Sequence, residues 1–116
     1  MDIYHGWCDL KDGVSDIDFA EAFTTYMEKL KSDGFIEGYR LTRRKLGLGG
    51  EGLGEFHFMI ELEGLAQLDE AFGLVASRAA PIEGPHFAVN SLIANVRFAL
   101  YRDFPDAGRV QGEELF

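Results

Sequence analysis

Residues 55–63, EFHFMIELE, alternate between large apolar side chains and mostly polar ones. One face of this stretch carries Phe56, Phe58, Ile60 and Leu62, and the other carries Glu55, His57, Met59, Glu61 and Glu63. A period of two residues is typical of a β-strand that packs one face against a core. We therefore expect helices to cover this apolar face, and the rest of the chain contains segments that could form them.

The flanking sequence predicts three more strands and three helices. Strands are expected at residues 2–10, 35–46 and 95–102, the last with Val96, Phe98 and Leu100 on its apolar face. A helix begins after Ser15, with Phe19, Phe23, Tyr26, Met27 and Leu30 on its inner face, and ends at Gly34. A second helix is expected at 65–79, with Leu65, Leu68, Phe72, Val75 and Ala76 inward. A short third helix is expected at 86–93, with Pro85 at its start and His86 at the surface.

The element order β-α-β-β-α-(α)-β predicts an α+β, ferredoxin-like fold. Right-handed crossovers give a four-stranded antiparallel sheet of order 4-1-3-2, with the helices on one face. The domain is expected to span residues 1–105, followed by a polar tail at 106–116 with an apolar tip.

Composition narrows the classes of partner. The 116 residues carry a net charge of −9, which opposes binding to nucleic acid or to an anionic membrane. The single cysteine, Cys8, excludes an intramolecular disulfide and is expected to be a buried, inert thiol. No signal peptide and no apolar run of about 18 residues is evident. We therefore expect a cytoplasmic protein with no nucleic-acid or membrane partner.

A glycine-rich stretch, residues 43–54, reads RRKLGLGGEGLG and fits the spacing GxGxxG. A dinucleotide site needs a helix after such a turn, because the pyrophosphate sits on the N–H groups of the helix N-terminus. Here a strand follows, so the stretch predicts a hairpin loop. The basic residues at 40–45 suit an exposed edge strand, with an interface salt bridge or a bound anion as alternatives.

The sheet face away from the helices has a mixed composition. It is predicted to carry Ile3, His5, Trp7, Arg40, Thr42, His57, Met59, Glu61, Arg97, Ala99 and Tyr101. A solvated face rarely holds so many apolar groups, and a closed core would not hold these charges. The set favours a partly enclosed, partly polar cavity.

This element order and mixed face resemble the dimeric α/β-barrel superfamily over about residues 2–103. The resemblance implies a homodimer whose sheets meet face to face and enclose a lumen in each subunit. The group includes quinol and polyketide monooxygenases, haem-degrading enzymes, and dehalogenase- and decarboxylase-like proteins, and the chain looks most like its uncharacterised bacterial members. The haem-degrading branch carries an Asn on strand 1, a Trp on strand 3 and a His on helix 2. Here strand 1 carries His5 and Trp7, strand 3 carries His57 and helix 2 has no His, so the resemblance does not extend to that branch. No cofactor is expected.

The candidate catalytic residues are His5 and His57, either of which suits proton transfer at neutral pH. If the strand midpoints align, Trp7 lies opposite His57 and Met59 opposite His5, which separates the imidazoles by ~7 Å along the strands. That distance is too long for one metal ion, so no metal site is expected. Arg40 or Arg97 would stabilise a carboxylate or an enolate. The candidate ligand-binding residues are Trp7, Arg40, Thr42, Met59, Glu61, Arg97 and Tyr101.

Three functions are compatible with these observations. The first is a homodimer that binds a small, partly apolar organic molecule in the cavity on the open sheet face. The second is a cofactor-independent monooxygenase, isomerase or decarboxylase with a histidine base. The third is an interaction module without a ligand cavity.

Overall fold

The computed structural model describes residues 1–105, and the predicted tail at 106–116 lies outside the described residues. The elements are β1 (Asp2–Leu10), α1 (Asp16–Ser32), β2 (Gly38–Arg43), β3 (Phe56–Leu62), α2 (Leu65–Ala76), α3 (Glu83–Asn90) and β4 (Ile93–Arg102). The strands form one antiparallel sheet in the order β2-β3-β1-β4. This is the predicted order 4-1-3-2 counted from the other edge, so the predicted fold class and topology are confirmed.

Helix α1 has the predicted start and end. The N–H of Asp18 donates to Ser15 Oγ at 3.3 Å, which satisfies one of the free donors of the first turn. After Asp33 the chain turns at Gly34, whose φ of +80° favours glycine, and Phe35 N–H donates back to the Leu30 carbonyl. These contacts fix the ends of the helix that covers the centre of the sheet.

The core lies between the three helices and one face of the sheet. Its buried members are Cys8, Phe19, Phe23, Met27, Leu30, Ile36, Phe56, Phe58, Leu62, Ile82 and Val89. Cys8 has no exposed surface, and burial, followed by the charge of Asp9, raises the pKa of its thiol to about 11.

Several element boundaries differ from the prediction. Strand β2 covers only residues 38–43, because Ile36 is buried in the core instead of pairing in the sheet. Helix α2 stops at Ala76, since Arg78 adopts a left-handed φ of 54° that cannot continue a helix. Strand β4 starts two residues early, at Ile93.

Helix α3 begins at Glu83, three residues before the predicted start. Pro85 therefore lies inside the first turn of the helix. The N–H groups of a first turn have no intrahelical partner, so the missing N–H of proline costs no hydrogen bond there. His86 is consequently half-buried in the interior, and the prediction of a surface position is wrong.

The inward faces of α2 and β4 are also only partly as predicted. Leu65 is 63% exposed and Ala76 is exposed, whereas Ala71, which the pattern omitted, is buried. Phe98 and Leu100 lie on the helix side of β4 but are about half exposed, because β4 is an edge strand that the helices do not cover fully. Part of the helix-side apolar surface is therefore open to solvent.

Residues 44–55, called the glycine loop below, join β2 to β3 as the predicted hairpin connection. Within the basic stretch, Arg43 makes ion pairs inside the chain, to Asp16 at 2.8 Å and to Glu55 at 2.7 Å. Of the helices in residues 1–105, none is both long and apolar enough to cross a lipid bilayer.

Candidate functional site

The open face of the sheet carries all the predicted site residues in three cross-strand rows. The register of the strands gives the rows Thr42–His57–Trp7–Arg97, Arg40–Met59–His5–Ala99 and Gly38–Glu61–Ile3–Tyr101. The expected pairings of Trp7 with His57 and of Met59 with His5 are therefore confirmed. The structure brings the predicted residues together on one face of the sheet.

His5 and His57 are joined directly by their side chains. His5 Nδ1 lies 2.8 Å from His57 Nε2, and the ring planes are within 16° of each other. The diagonal offset of two residues does not separate the rings, because both side chains lean along the strands toward each other. The predicted ~7 Å separation of the imidazoles is therefore wrong at the level of the ring nitrogens.

Aromatic rings surround this histidine pair. The Trp7 ring is parallel to that of His57, with centroids 4.5 Å apart, and Tyr101 meets His5 edge-on at 4.9 Å. Thr42 Oγ1 donates to the His57 carbonyl at 3.0 Å, while Arg40, Glu61 and Arg97 are exposed at the margins. We call Trp7, His57, His5 and Tyr101 the aromatic array.

Burial within the array lowers the pKa of both histidines, and the charge of His5 lowers the pKa of His57 further. Both rings are therefore neutral at pH 7, and one nitrogen of the pair donates the shared proton to the other. The outer nitrogens, His5 Nε2 and His57 Nδ1, remain available for proton exchange. The residues that the structure describes contain no cluster of three or more potential metal ligands.

The structure contains a second candidate site that the sequence pattern did not indicate. A cavity of about 200 Å³ lies on the other side of the sheet, between β1, β3, β4 and the helices. Its wall is almost wholly apolar and includes Phe23, Met27, Phe58, Ala71, Val75 and Val89. Two further wall residues, Phe72 and Phe98, are 48% and 57% exposed, so this inner cavity opens to solvent beside them.

A polar corner interrupts the apolar wall of the inner cavity. His86 of α3 and Tyr26 of α1 line the cavity with their ring centroids 5.7 Å apart. His86 Nδ1 lies 3.7 Å from Glu83 Oε2, and both atoms are buried without a hydrogen-bond partner. Burial, followed by the charge of Glu83, raises the pKa of Tyr26 to about 12, so Tyr26 keeps its proton.

The Glu83–His86 pair fixes what the corner offers a ligand. A proton on Nδ1 is the state that suits the neighbouring carboxylate, which leaves Nε2 as a hydrogen-bond acceptor. Because Nδ1 is buried against Glu83, the remainder of the ring lines the cavity. Buried polar atoms without partners are uncommon in folded proteins, and catalytic or binding contacts often shorten only when a ligand is present.

A sequence signal for this corner exists in retrospect. Residues at i and i+3 share one side of a helix, so Glu83 and His86 would have been paired had the helix start been placed correctly. Pro85 drew the predicted start past Glu83, and the pair was missed. Tyr4, which joins Phe72 and Phe98 at the mouth with ring centroids 5.3 Å away in each case, carried no distinguishing signal.

Comparison with solved structures shows that the fold is shared with several distant proteins. At3g17210 from Arabidopsis thaliana is 12% identical, with a TM-score of 0.71 over 92% of this chain and 99% of that one. A dimeric ferredoxin-like protein of unknown function from Thermobifida fusca is 20% identical, with a TM-score of 0.56 over 87% and 90%. A Deinococcus radiodurans protein, described provisionally as an antibiotic biosynthesis monooxygenase, is 14% identical, with a TM-score of 0.58 over 97% and 100%.

Sequence comparison places the chain in a family. No curated protein is similar enough to the chain to count as a match. The whole of residues 1–116, however, matches the model of DUF6614, which is described as a family of unknown function. The chain therefore belongs to the DUF6614 family.

Proposed function

We propose that this protein is a homodimer that binds a small, largely apolar organic molecule in the inner cavity. The observation that carries the proposal is an apolar cavity of about 200 Å³ whose wall includes the rings of Tyr26 and His86 as its polar corner. Ligand sites in proteins are typically apolar hollows with a few placed polar groups, and this cavity has that composition.

The size of the cavity limits the ligand. An engineered apolar cavity of about 150 Å³ is sufficient to bind benzene. The inner cavity therefore has room for a molecule built on about one ring, with longer substituents leaving through the mouth beside Phe72 and Phe98. Its apolar body would contact Phe23, Met27 and Phe58.

The polar corner selects the ligand's functional group. With Nδ1 directed to Glu83, Nε2 of His86 accepts a hydrogen bond, so a ligand hydroxyl that donates is preferred. A negatively charged ligand group is disfavoured there, because Glu83 is close enough for its charge to raise the pKa of Tyr26. The expected ligand is a neutral phenol or alcohol with an apolar body.

The open face provides the surface for the second subunit. Trp7, His5 and His57 are only half-buried in one chain, and a tryptophan in such an array is a common interface anchor. The Thermobifida fusca neighbour and two others are described as dimeric, which supports a homodimer for this chain. The cytoplasmic location and the absence of nucleic-acid and membrane partners remain part of the proposal.

A second candidate function retains the ligand site on the open face, with His5 or His57 as a catalytic base. The hydrogen bond of 2.8 Å between the two imidazoles favours it, because the pair can accept a proton at one outer nitrogen and release one at the other. The remaining candidates, Trp7, Arg40, Thr42, Met59, Glu61, Arg97 and Tyr101, would then line a lumen between two subunits. The Deinococcus radiodurans neighbour is consistent with an oxygenase of this kind.

Phenol and toluene form a matched pair of probes that separates these candidates. Each is titrated into the protein while amide chemical shifts and the melting temperature are followed, because a ligand that prefers the native state raises that temperature. The inner-cavity proposal expects both to shift the resonances of Phe72, Ala71 and Val89, with phenol the tighter ligand. It also expects His86→Phe to remove the advantage of phenol while toluene still binds.

The open-face variant His57→Ala provides the discriminating control. Unchanged phenol binding in this variant supports the inner cavity. The open face is supported instead if the variant loses phenol binding and if the shifts in the unmodified protein are confined to β1 and β3. If neither probe shifts any resonance, the ligand-binding proposal fails, and an interaction module becomes the better account.

A further inference from the structure

The glycine loop packs against the ends of β1 and β4 and does not extend freely into solvent. A Cβ atom at Gly54 would lie 2.5 Å from the backbone carbonyl of Cys8, so only glycine allows this contact. A Cβ at Gly52, where φ is +78°, would lie 3.2 Å from Cζ of Arg97. The loop backbone therefore lies directly against the Arg97 guanidinium.

This packing creates an open, mainly polar pocket of about 480 Å³ at one end of the sheet. The pocket is lined by Asp9, Gly52, Leu53, Gly54, Asn95, Val96 and Arg97. It shares no lining residue with the inner cavity, so it is a separate feature of the fold.

The two charged residues of the pocket differ in how they are satisfied. Asp9 accepts hydrogen bonds on both oxygens, from the Glu55 N–H at 3.0 Å and from Asn95 Nδ2 at 3.2 Å. The Glu55 hydrogen bond is the largest cause of a lowered pKa for Asp9, and the charge of Arg44 contributes. Asp9 is therefore ionised and fully partnered at neutral pH.

Arg97 has no such partner. Within residues 1–105, no ion pair and no side-chain hydrogen bond holds its guanidinium. A Cβ at Gly52 would lie at nearly equal distances from Cζ, Nη2 and Nη1 of Arg97, at 3.2, 3.4 and 3.5 Å, so Gly52 faces the flat side of the guanidinium. A guanidinium held in this way is suited to a planar anion that accepts two parallel hydrogen bonds.

We propose that the pocket between the glycine loop and Arg97 binds the carboxylate group of a small monocarboxylate. Arg97 and Arg44, whose charge also acts on Asp9, together exceed this one ionised carboxylate by a single positive charge, so one further negative charge is balanced. A doubly charged phosphate would leave an excess of negative charge beside Asp9. Of the three glycines in the GxGxxG spacing, Gly52 is the one that approaches Arg97, and no helix N-terminus takes part.

Acetate is the probe that tests the proposal, titrated against chloride at constant ionic strength and followed by amide chemical shifts. The expected result is a saturable shift at Gly52, Leu53 and Gly54. Arg97→Gln should abolish it, while Arg78→Gln, which removes the same charge from an exposed position elsewhere, should leave it unchanged.

Two further variants test the geometry and the charge balance. Gly52→Ala should weaken acetate binding by displacing the guanidinium, and Asp9→Asn should strengthen it by a few-fold by removing a like charge. Acetate shifts that persist in Arg97→Gln, or that never saturate, would overturn the site. Inorganic phosphate binding as tightly as acetate would overturn its assignment to monocarboxylates.

Discussion

The substitution Ala71→Leu tests the inner cavity through the sign of its effect on stability. Ala71 is 7% exposed and lines the cavity from α2. Leucine adds three carbon atoms, and each buried methylene contributes about 0.8 kcal/mol. The free energy of unfolding should therefore rise by at most ~2.4 kcal/mol, and by about 1–2 kcal/mol after allowing for apolar surface already buried in the unfolded chain.

Urea denaturation followed by circular dichroism measures this change, and the melting temperature should rise by roughly 4–8 °C. Ala66→Leu is the matched control, since Ala66 is exposed on the same helix and its replacement should change stability by less than about 0.5 kcal/mol. A core without a void would instead lose about 1–3 kcal/mol through overpacking. Destabilisation of Ala71→Leu with a native-like control would refute the cavity. The same variant should also lose phenol binding.

Three other predictions follow from the structure. Because the pKa values of His5 and His57 are lowered in the folded state, the unfolded chain binds more protons than the folded chain below pH 6.5. The free energy of unfolding should therefore fall as the pH drops through that value, with a shallower slope in His57→Gln. An equal slope in both proteins would contradict this. Gly54→Ala should destabilise the protein by about 1–3 kcal/mol in urea titrations because its Cβ meets the Cys8 backbone. Gly73→Ala, within α2 and without close contacts, should stabilise it by about 0.5–1 kcal/mol, and the reverse order of the two would contradict the close packing of Gly54 against Cys8. Native Cys8 should fail to react with a thiol reagent over the time in which the urea-unfolded protein reacts fully, and rapid native labelling would show that it is accessible.

The sequence was sufficient to predict the fold because its strongest signals are local. The alternation at residues 55–63 and the capped, periodic helix after Ser15 each specify an element and its buried face. Aligning the midpoints of the two predicted strands gave the register that sets Trp7 opposite His57. Element ends were less predictable, since α2 stops at a left-handed residue and α3 starts before its proline.

The candidate sites show where such local reasoning stops. Alternation identified the residues of the open face, but it could not give the lean of His5 toward His57, which depends on rotamers. The inner cavity arises because α2 and α3 do not fill the space above the sheet. The hydrophobic period of one segment predicts its own buried face, but it cannot predict a gap between two segments. Arg97 and Gly52 meet across 45 residues of sequence, which a motif such as GxGxxG cannot encode.

The most direct test of the account is a crystal structure of the protein grown with phenol. We expect two copies that meet through their open sheet faces, with Trp7 and His57 covered, and phenol in the inner cavity with its hydroxyl at His86. Phenol bound beside Trp7 and His57 instead, with the inner cavity filled by side chains, would contradict the central claim. Two copies that meet through any other surface would contradict the proposed dimer.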